Sequence, residues 1–437
     1  MAQKFIKRGY EKIYALAGGY REWARAQYPL EAKAGATLTC VDCHNDVTPR
    51  IVSDYKLSTM SKNEVSCSTC HGDHHKTGED ISKVQPFDPK VCGLCHEEKW
   101  KQFNAGKHAN AWAAMKALPY AHSQTVAVKE GMKGCESCHK IGIKSETEIA
   151  GLKQEGKRFG LASCNGCHTR HTFAVSEARQ PQACQTCHTG SEHPQWEMYS
   201  GSKHGAKYLL TQAGKLPQTT AAPTCQTCHM AKGNHEVRAA WGFYGVRLPL
   251  PEDKSWAAAR TTVLKALGGL DPDGKQTPRF NVFRASDIFR MSQEEWVEAR
   301  VDTIRTCTEC HSTRFSEDEL AKGDKMIREA DLLLAEAIGI VANLYEDKIL
   351  EKPKNYTYAF PDMLSHNEAP TPVEQRLYVM FMEHRMKAFQ GSFHFNPNNA
   401  LWSGWNELQK DLIEIKSMAE ALRAEALRAE ALRRNIR

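Results

Sequence analysis

Every cysteine of this chain falls in a Cys-x-x-Cys-His motif, and the motif fixes the chemistry to consider first. The motifs are Cys40/Cys43/His44, Cys67/Cys70/His71, Cys92/Cys95/His96, Cys135/Cys138/His139, Cys164/Cys167/His168, Cys184/Cys187/His188, Cys225/Cys228/His229 and Cys307/Cys310/His311. They number eight and consume all 16 cysteines. Two thiols at this spacing with an adjacent imidazole are a c-type haem attachment signal. The thiols form thioether bonds to the haem vinyl groups, and the histidine ligates iron from one side. Zinc is the competing chemistry, because paired Cys-x-x-Cys also builds structural zinc sites. Zinc does not explain a histidine directly after every second cysteine. The pattern therefore predicts eight covalently bound haem c groups and leaves no thiol for a disulfide or a nucleophile.

Iron held from one side has a second face to fill. The chain has 19 histidines. Eight sit in motifs, which leaves 11 for eight distal positions, a slight surplus. The ligand candidates outside the motifs are His75, His108, His122, His171, His193, His204 and His384. His74 and His235 also lie just past a motif. A histidine so close in sequence to its own motif reaches a neighbouring haem more easily than the far face of its own. Two segments repeat: WKQFNAGKH at 100–108 and WEMYSGSKH at 196–204. Such repetition points to one supersecondary unit used twice, with His108 and His204 as far-side ligands.

The surrounding chain fits an interior whose core is the cofactors themselves. Mean hydropathy is −0.56, and 41% of residues are apolar. The net charge of +6 is modest and points to no nucleic-acid partner. No apolar run approaches the roughly 20 residues of a membrane span. The start, MAQKFIKRGY, lacks the apolar core of a signal peptide. Attachment chemistry of this kind is normally extracytoplasmic, so a periplasmic or otherwise extracytoplasmic location is expected, with the true start upstream.

Four segments are expected. Residues 1–33 resemble the last strand, turn and helix of a rhodanese domain through Gly9, Tyr10, Leu16, Gly18, Gly19, Trp23 and Pro29. No free cysteine exists to serve as a rhodanese nucleophile. Residues 34–312 carry the motifs on short helices and loops. Within them DPDGK (271–275) marks a turn, and Ser292 with Glu295 forms a capping box leading into the eighth motif.

Residues 313–415 read as long helices. A second capping box, Ser316 with Glu319, precedes an apolar stripe of Leu320, Ile327, Leu334 and Val341, suited to helix packing or a coiled coil. Thr371, Pro372 and Glu374 start a further helix with Val373, Leu377, Phe381, His384 and Ala388 on one face. His384 there is either a ligand or a packed core histidine. Residues 416–437 carry leucines at 422, 427 and 432, which wind around a helix and predict a solvated extension.

The eight motifs, the run CHTRHTF…ARQPQACQTCHTGSEHPQWEMYSGSKHG and CTECHSTRF at the eighth motif resemble the octahaem hydroxylamine oxidoreductase family over roughly residues 38–415. The resemblance implies a mainly α fold, a homotrimer and seven six-coordinate haems that move electrons. It implies a catalytic fourth haem at Cys135/Cys138/His139 with an open distal position. The family's distal histidine matches His235, and the Asp before it is replaced here by Asn234. Oxidising members carry a tyrosine that crosslinks to the catalytic haem of the next subunit. The matching stretch, Phe393 to Trp405, contains none, and Asn399 stands near that position.

The chain is thus similar to members that run reductively. The expected function is reduction of nitrite or hydroxylamine to ammonia, with His139 tuning the iron and His235 supplying protons. The expected redox partner is a small cytochrome c or a membrane quinol dehydrogenase. Competing readings are hydroxylamine or hydrazine oxidation, a pure electron conduit with every iron six-coordinate, and sulfur oxyanion reduction suggested by the rhodanese-like segment.

Overall fold

A computed structural model describes residues 39–85, 88–117, 125–130, 134–154, 164–190, 193–237, 242, 244–351, 361–364, 369 and 371–436. The rhodanese-like segment and His122 lie outside them. The chain forms two compact units, Met1–Ser53 and Asp54–Arg437. Described elements are helical, and the one pairing among them that resembles a sheet is an isolated bridge between Leu270 and Gln276. It closes the predicted DPDGK turn, with Gly274 at φ 84°. The fold is mainly α, as expected.

The helices that matter most are α1 (Glu97–Ala105), α2 (Lys203–Gln212), α3 (Lys254–Ala266), α4 (Gln293–Cys307), α5 (Thr313–Glu346), α6 (Pro372–Val379), α7 (Met386–Phe393) and α8 (Asn406–Ile436). α4 starts as expected at the Ser292/Glu295 capping box and runs directly into the eighth motif. α5 starts three residues before the expected Ser316 box. Its N-cap is Ser312, whose side chain accepts from the Phe315 N–H. Ser316 is buried inside the helix, and Glu319 pairs with Lys322 instead.

The stripe Leu320, Ile327, Leu334 and Val341 is buried to 3% exposure or less. It packs within the chain, where α5 lies against α3, α7 and α8. A buried stripe has no apolar face left for a coiled coil between subunits, so that use of it is corrected. One core joins Val263, Phe283, Ile338, Phe381 and Leu408. Between α6 and α7 the helix widens to a π-helical segment, Met380–Arg385, and a second one, Asn399–Trp405, leads into α8. Beyond residue 423 the described part of α8 is exposed, with Leu427 and Leu432 in solvent.

A buried charge network pins the C-terminal helices. Asp331 of α5 is fully buried. It accepts from Arg385 Nε and Nη2 at 2.9 and 2.8 Å, from Arg260 Nη1 at 3.3 Å and from Trp256 Nε1 at 2.8 Å. Arg385 also donates to the carbonyls of Tyr244 and Gly245 at 2.7 and 3.3 Å. Gly245 has φ 60°, and a Cβ there would run into the Phe389 ring of α7, so only glycine lets this turn approach.

Candidate functional site: paired histidines along the chain

Each motif folds as one helical turn. In the third, fifth, sixth and eighth motifs the histidine N–H donates to the carbonyl of the first cysteine at 2.9–3.0 Å. Positions i, i+3 and i+4 of a helical turn share a face, so both thiols and the imidazole point the same way. Among the described residues no cysteine is in a disulfide. Nor does any group of three or more described His, Cys, Asp or Glu side chains close to a metal-binding size.

Six motif histidines each face one histidine from outside the motifs. The pairs are His71/His171, His188/His108, His139/His193, His168/His235, His311/His204 and His229/His394, with ring centroids 6.1–6.5 Å apart. No histidine is used twice. Two metal–nitrogen bonds of about 2.0 Å plus the two ring halves also come to roughly 6 Å. The spacing and the one-to-one pairing fit a haem iron held between each pair.

Ring orientation supports the same fit. A neutral imidazole that ligates through one nitrogen usually donates its other N–H to a fixed acceptor. The Nδ1 atoms of His139, His235 and His394 lie 3.2, 2.9 and 2.8 Å from the carbonyls of Ala111, Gly233 and Gln390. Burial, helped by neighbouring imidazoles, lowers His108 and His394 to about 4 and His193 to about 3. All three are neutral at pH 7, as iron ligation requires.

The repeated Trp-to-His segments do the same job twice. Each runs from a helix through a glycine to a new helical turn that begins at Lys-His. The structure brings His108 to His188 and His204 to His311.

The fourth site differs from the others. Its rings are the farthest apart, 6.5 Å, and the most nearly perpendicular, 69°. It is held by the segment that follows α1. Ile143 N–H donates to Ala109 O at 2.8 Å. A Cβ on Gly142 would collide with the Trp112 backbone.

Several expected roles move. His235 does not face His139. Its ring lies parallel to His168, at 7°. The reason is local: its N–H donates to Gln102 Oε1 at 2.9 Å, and Lys99 Nζ donates to Gly233 O at 2.9 Å, which moors this turn on α1. Asn234 Oδ1 accepts from the Glu236 N–H at 2.9 Å and shapes the same turn. His193 occupies the position expected of His235.

His384 is paired through Nδ1 with Asp411 at 2.6 Å, on the C-terminal helices. That is the packed-core alternative. His394, at the end of α7, is the ligand candidate that the sequence pattern missed. Asn399 accepts from Ser403 at 3.2 Å and begins the second π-helical segment. His75 is bonded to Asp80 at 2.9 Å, His74 is exposed beside Asp73, and His44 is bonded to Thr48 at 2.8 Å. Among the described residues no histidine ring faces His96.

Thiols of different motifs also meet. Cys92 lies beside Cys164, Cys138 beside Cys187, and Cys184 beside Cys225, close enough for each thiol to shift the other's titration. Cys70 is electrostatically coupled to Cys92, Cys167 to Cys184, and Cys228 to Cys307. The attachment edges of sites two, three, five, six, seven and eight thus form a line, and site four branches from site six.

The second cysteines of the first, third and eighth motifs stand apart from these meeting thiols. Cys43 is half-buried, and Cys95 and Cys310 are exposed. Among the described residues none of these three side chains has a hydrogen bond. Cys310 adds only to the electrostatic field at Cys228. The reason is where each one falls. Cys43 lies in the short helix Cys40–Val47, which has no buried residue. Cys95 lies in the turn that leads into α1, and Cys310 lies in the turn after α4 ends.

Residues 36–262 and 275–357 match the family described as "Seven times multi-haem cytochrome CxxCH". A Kuenenia stuttgartiensis protein described as "Probable nitrite reductase-hydroxylamine oxidoreductase fusion protein" is 25% identical over 88% of this chain and 51% of its own length. The chain thus spans about half of that relative. "Multiheme cytochrome MtrA" of Shewanella baltica (strain OS185) is 24% identical over 48% of this chain and 70% of its own length. Among solved structures, a chain of the "reducing HAO-like protein complex" of Kuenenia stuttgartiensis superposes with TM-score 0.68 at 23% identity, over 90% of this chain and 86% of that one. A "Hypothetical multiheme protein" superposes with TM-score 0.64 at 19% identity, over 89% and 96%. At these identities the superpositions speak for the fold.

Proposed function

This chain belongs to the multi-haem cytochrome family, and from that premise we propose that it is an octahaem oxidoreductase that reduces nitrite or hydroxylamine to ammonia at its fourth site. The observation that carries the reading is the distinct His139/His193 pair. Bound haem would supply iron that passes electrons singly and, at the fourth site, iron able to take the substrate nitrogen. Cys135 and Cys138 anchor the group there, and Ala111 O fixes the His139 ring on the proximal side. At 6.5 Å from His139, His193 would fill the iron's second position, so in this reading it gives up that position to the substrate and then stands beside it, where its ring nitrogen can pass a proton. Haems held along this line of neighbouring attachment sites would pass electrons to site six, from which site four branches.

The names of the relatives support a nitrogen-compound substrate, through the fusion protein and the "reducing" complex. The absence of tyrosine between Phe393 and Trp405 supports the reductive direction. A homotrimer in an extracytoplasmic compartment, fed by a small cytochrome c or a membrane quinol dehydrogenase, completes the proposal. Native mass spectrometry of the mature protein is expected to show trimers with eight haems per chain. Fewer haems or a monomer would contradict those parts.

Direction has its own test. Reduction of nitrite or hydroxylamine with a strong artificial donor should be much faster than hydroxylamine oxidation with an artificial acceptor. The opposite order overturns the reading. One observation favours a second reading, an electron conduit: six sites, the fourth included, have a histidine on each side. No turnover in either direction, with the fourth haem low-spin, would establish the conduit.

A further inference from the structure

Two phenylalanines occupy backbone positions that ordinarily go to glycine. Phe395 has φ 56° and follows the C-cap of α7. Its N–H donates to Ser392 O at 3.4 Å, and the Asn396 N–H donates to Gly391 O at 2.8 Å. That is the bonding of a helix end whose left-handed residue is usually glycine. Phe173 has φ 50° and closes a single turn through its N–H to Thr169 O at 2.7 Å. A bulky L residue in this region is an outlier that persists only where its surroundings impose it. The other non-glycine residues at positive φ are Glu64, Lys232, Asp287, Arg290 and Lys348, all polar.

The two aromatic cases share a contact. Phe173 meets His171 edge-on at 6.3 Å and 78°, and Phe395 meets His204 edge-on at 5.9 Å and 78°. His171 and His204 face the motif histidines of sites two and eight, the ends of the line of attachment edges. Among the described residues neither histidine has a ring hydrogen bond. His235 and His394 differ, because a carbonyl fixes each of them. A ligating imidazole without such a bond is free to rotate about its metal bond. A phenyl edge set across its plane opposes that rotation, and the left-handed backbone aims the phenyl there.

We propose that Phe173 and Phe395 are positioning residues that lock the ring planes of His171 and His204, and so set the electronic character of the two terminal haems. This rests on the reading of the histidine pairs as haem ligands. The angle between the two axial rings, 39° at site two and 49° at site eight, is the quantity they hold. Orientation of axial ligands by surrounding residues is one of the protein's means of tuning a haem.

The test uses the haem-loaded protein with F173G, F395G and the double variant. Glycine removes the ring and suits the left-handed backbone, so thermal stability should be equal or higher and haem content unchanged. Each single variant should nevertheless shift one low-spin electron-paramagnetic-resonance signal and one step of a redox titration, and the double variant two. F173L and F395L keep an apolar side chain but lose the flat edge. They should give the same shifts and decide the matter if the glycine variants fold poorly. Unchanged spectra and titrations in fully loaded variants overturn the positioning role. Peptide mass mapping that finds no haem at Cys67/Cys70 or Cys307/Cys310 of the unaltered protein overturns the ligand reading itself, and this proposal with it.

Discussion

Nitrite or hydroxylamine reduction by His193→Ala is expected to fall by roughly 10²–10⁴-fold, the range for loss of a positioned proton donor. The argument starts from what multi-electron reduction of a nitrogen oxide consumes. Electrons arrive along the attachment sites, but protons must arrive at the substrate. Only a group on the face opposite His139 can deliver them, and His193 is the histidine that stands there. Burial lowers it to about 3. It therefore rests as a neutral imidazole and must take up a proton before it can pass one to the substrate. His235→Ala is the control. Its ring faces His168, so its loss should convert one low-spin haem to high-spin without removing a proton donor from the fourth site. Stopped-flow rates and visible spectra of both variants check this. Unchanged rates in His193→Ala together with a new high-spin signal would make His193 a plain axial ligand and remove its acid role.

The attachment motifs and most of the histidines that face them were legible in the sequence, but not which histidine faces which motif. Covalent attachment demands two thiols and an imidazole on one turn, so the signal is local and the spacing is rigid. What surrounds each turn is not local, which is why the motif could not tell that Cys95 and Cys310 are exposed. Distal ligands have no such constraint. His171 faces His71, and His394 faces His229, across long stretches of chain. Only tertiary packing decides such partners. The family resemblance pointed to His235 at the fourth site, but two hydrogen bonds to α1 carry that turn to the fifth. An apolar helix face pointed to His384, but Asp411 holds its ring. The π-helical segment Met380–Arg385 shifts the phase of that face, and the ligand candidate is one element later, at the end of α7. A signal did exist for His394: a histidine at the end of an apolar helix, inside the stretch already singled out for its missing tyrosine.

The same contrast holds for the long helices. Capping chemistry located the starts of α4 and α6, because N-cap, proline and acidic residues act within one turn. The seven-residue stripe of α5 was read correctly as apolar, but periodicity cannot say which surface covers it. The covering surfaces are α3, α7 and α8 of the same chain.

Asp331→Ala is expected to destabilise the C-terminal helices by about 3–5 kcal/mol, the cost of leaving buried charges without their partner. Asp331 is the only acidic side chain to which Arg385 and Arg260 are bonded among the described residues. Both guanidinium groups are buried, and burial already lowers Arg260 to about 10 despite the carboxylate. Arg385→Leu should cost less per charge removed, because Asp331 keeps Arg260 and Trp256 as donors. It does leave the Tyr244 and Gly245 carbonyls without the donor they now share. Replacing all the charged members together by apolar residues of similar volume should recover much of the loss, since a buried ion pair is often no better than good packing.

The network also reaches the haem line. Arg385 stacks over Phe389 at 4.2 Å, and Phe389 lies in α7, whose end places His394 opposite His229. Asp331→Ala should therefore weaken the seventh site before the chain unfolds. Urea denaturation followed by helical circular dichroism would measure the first effect, and conversion of one low-spin haem to high-spin below the unfolding midpoint would measure the second. A stability loss under about 1 kcal/mol would place the network among surface-like ion pairs and contradict its burial.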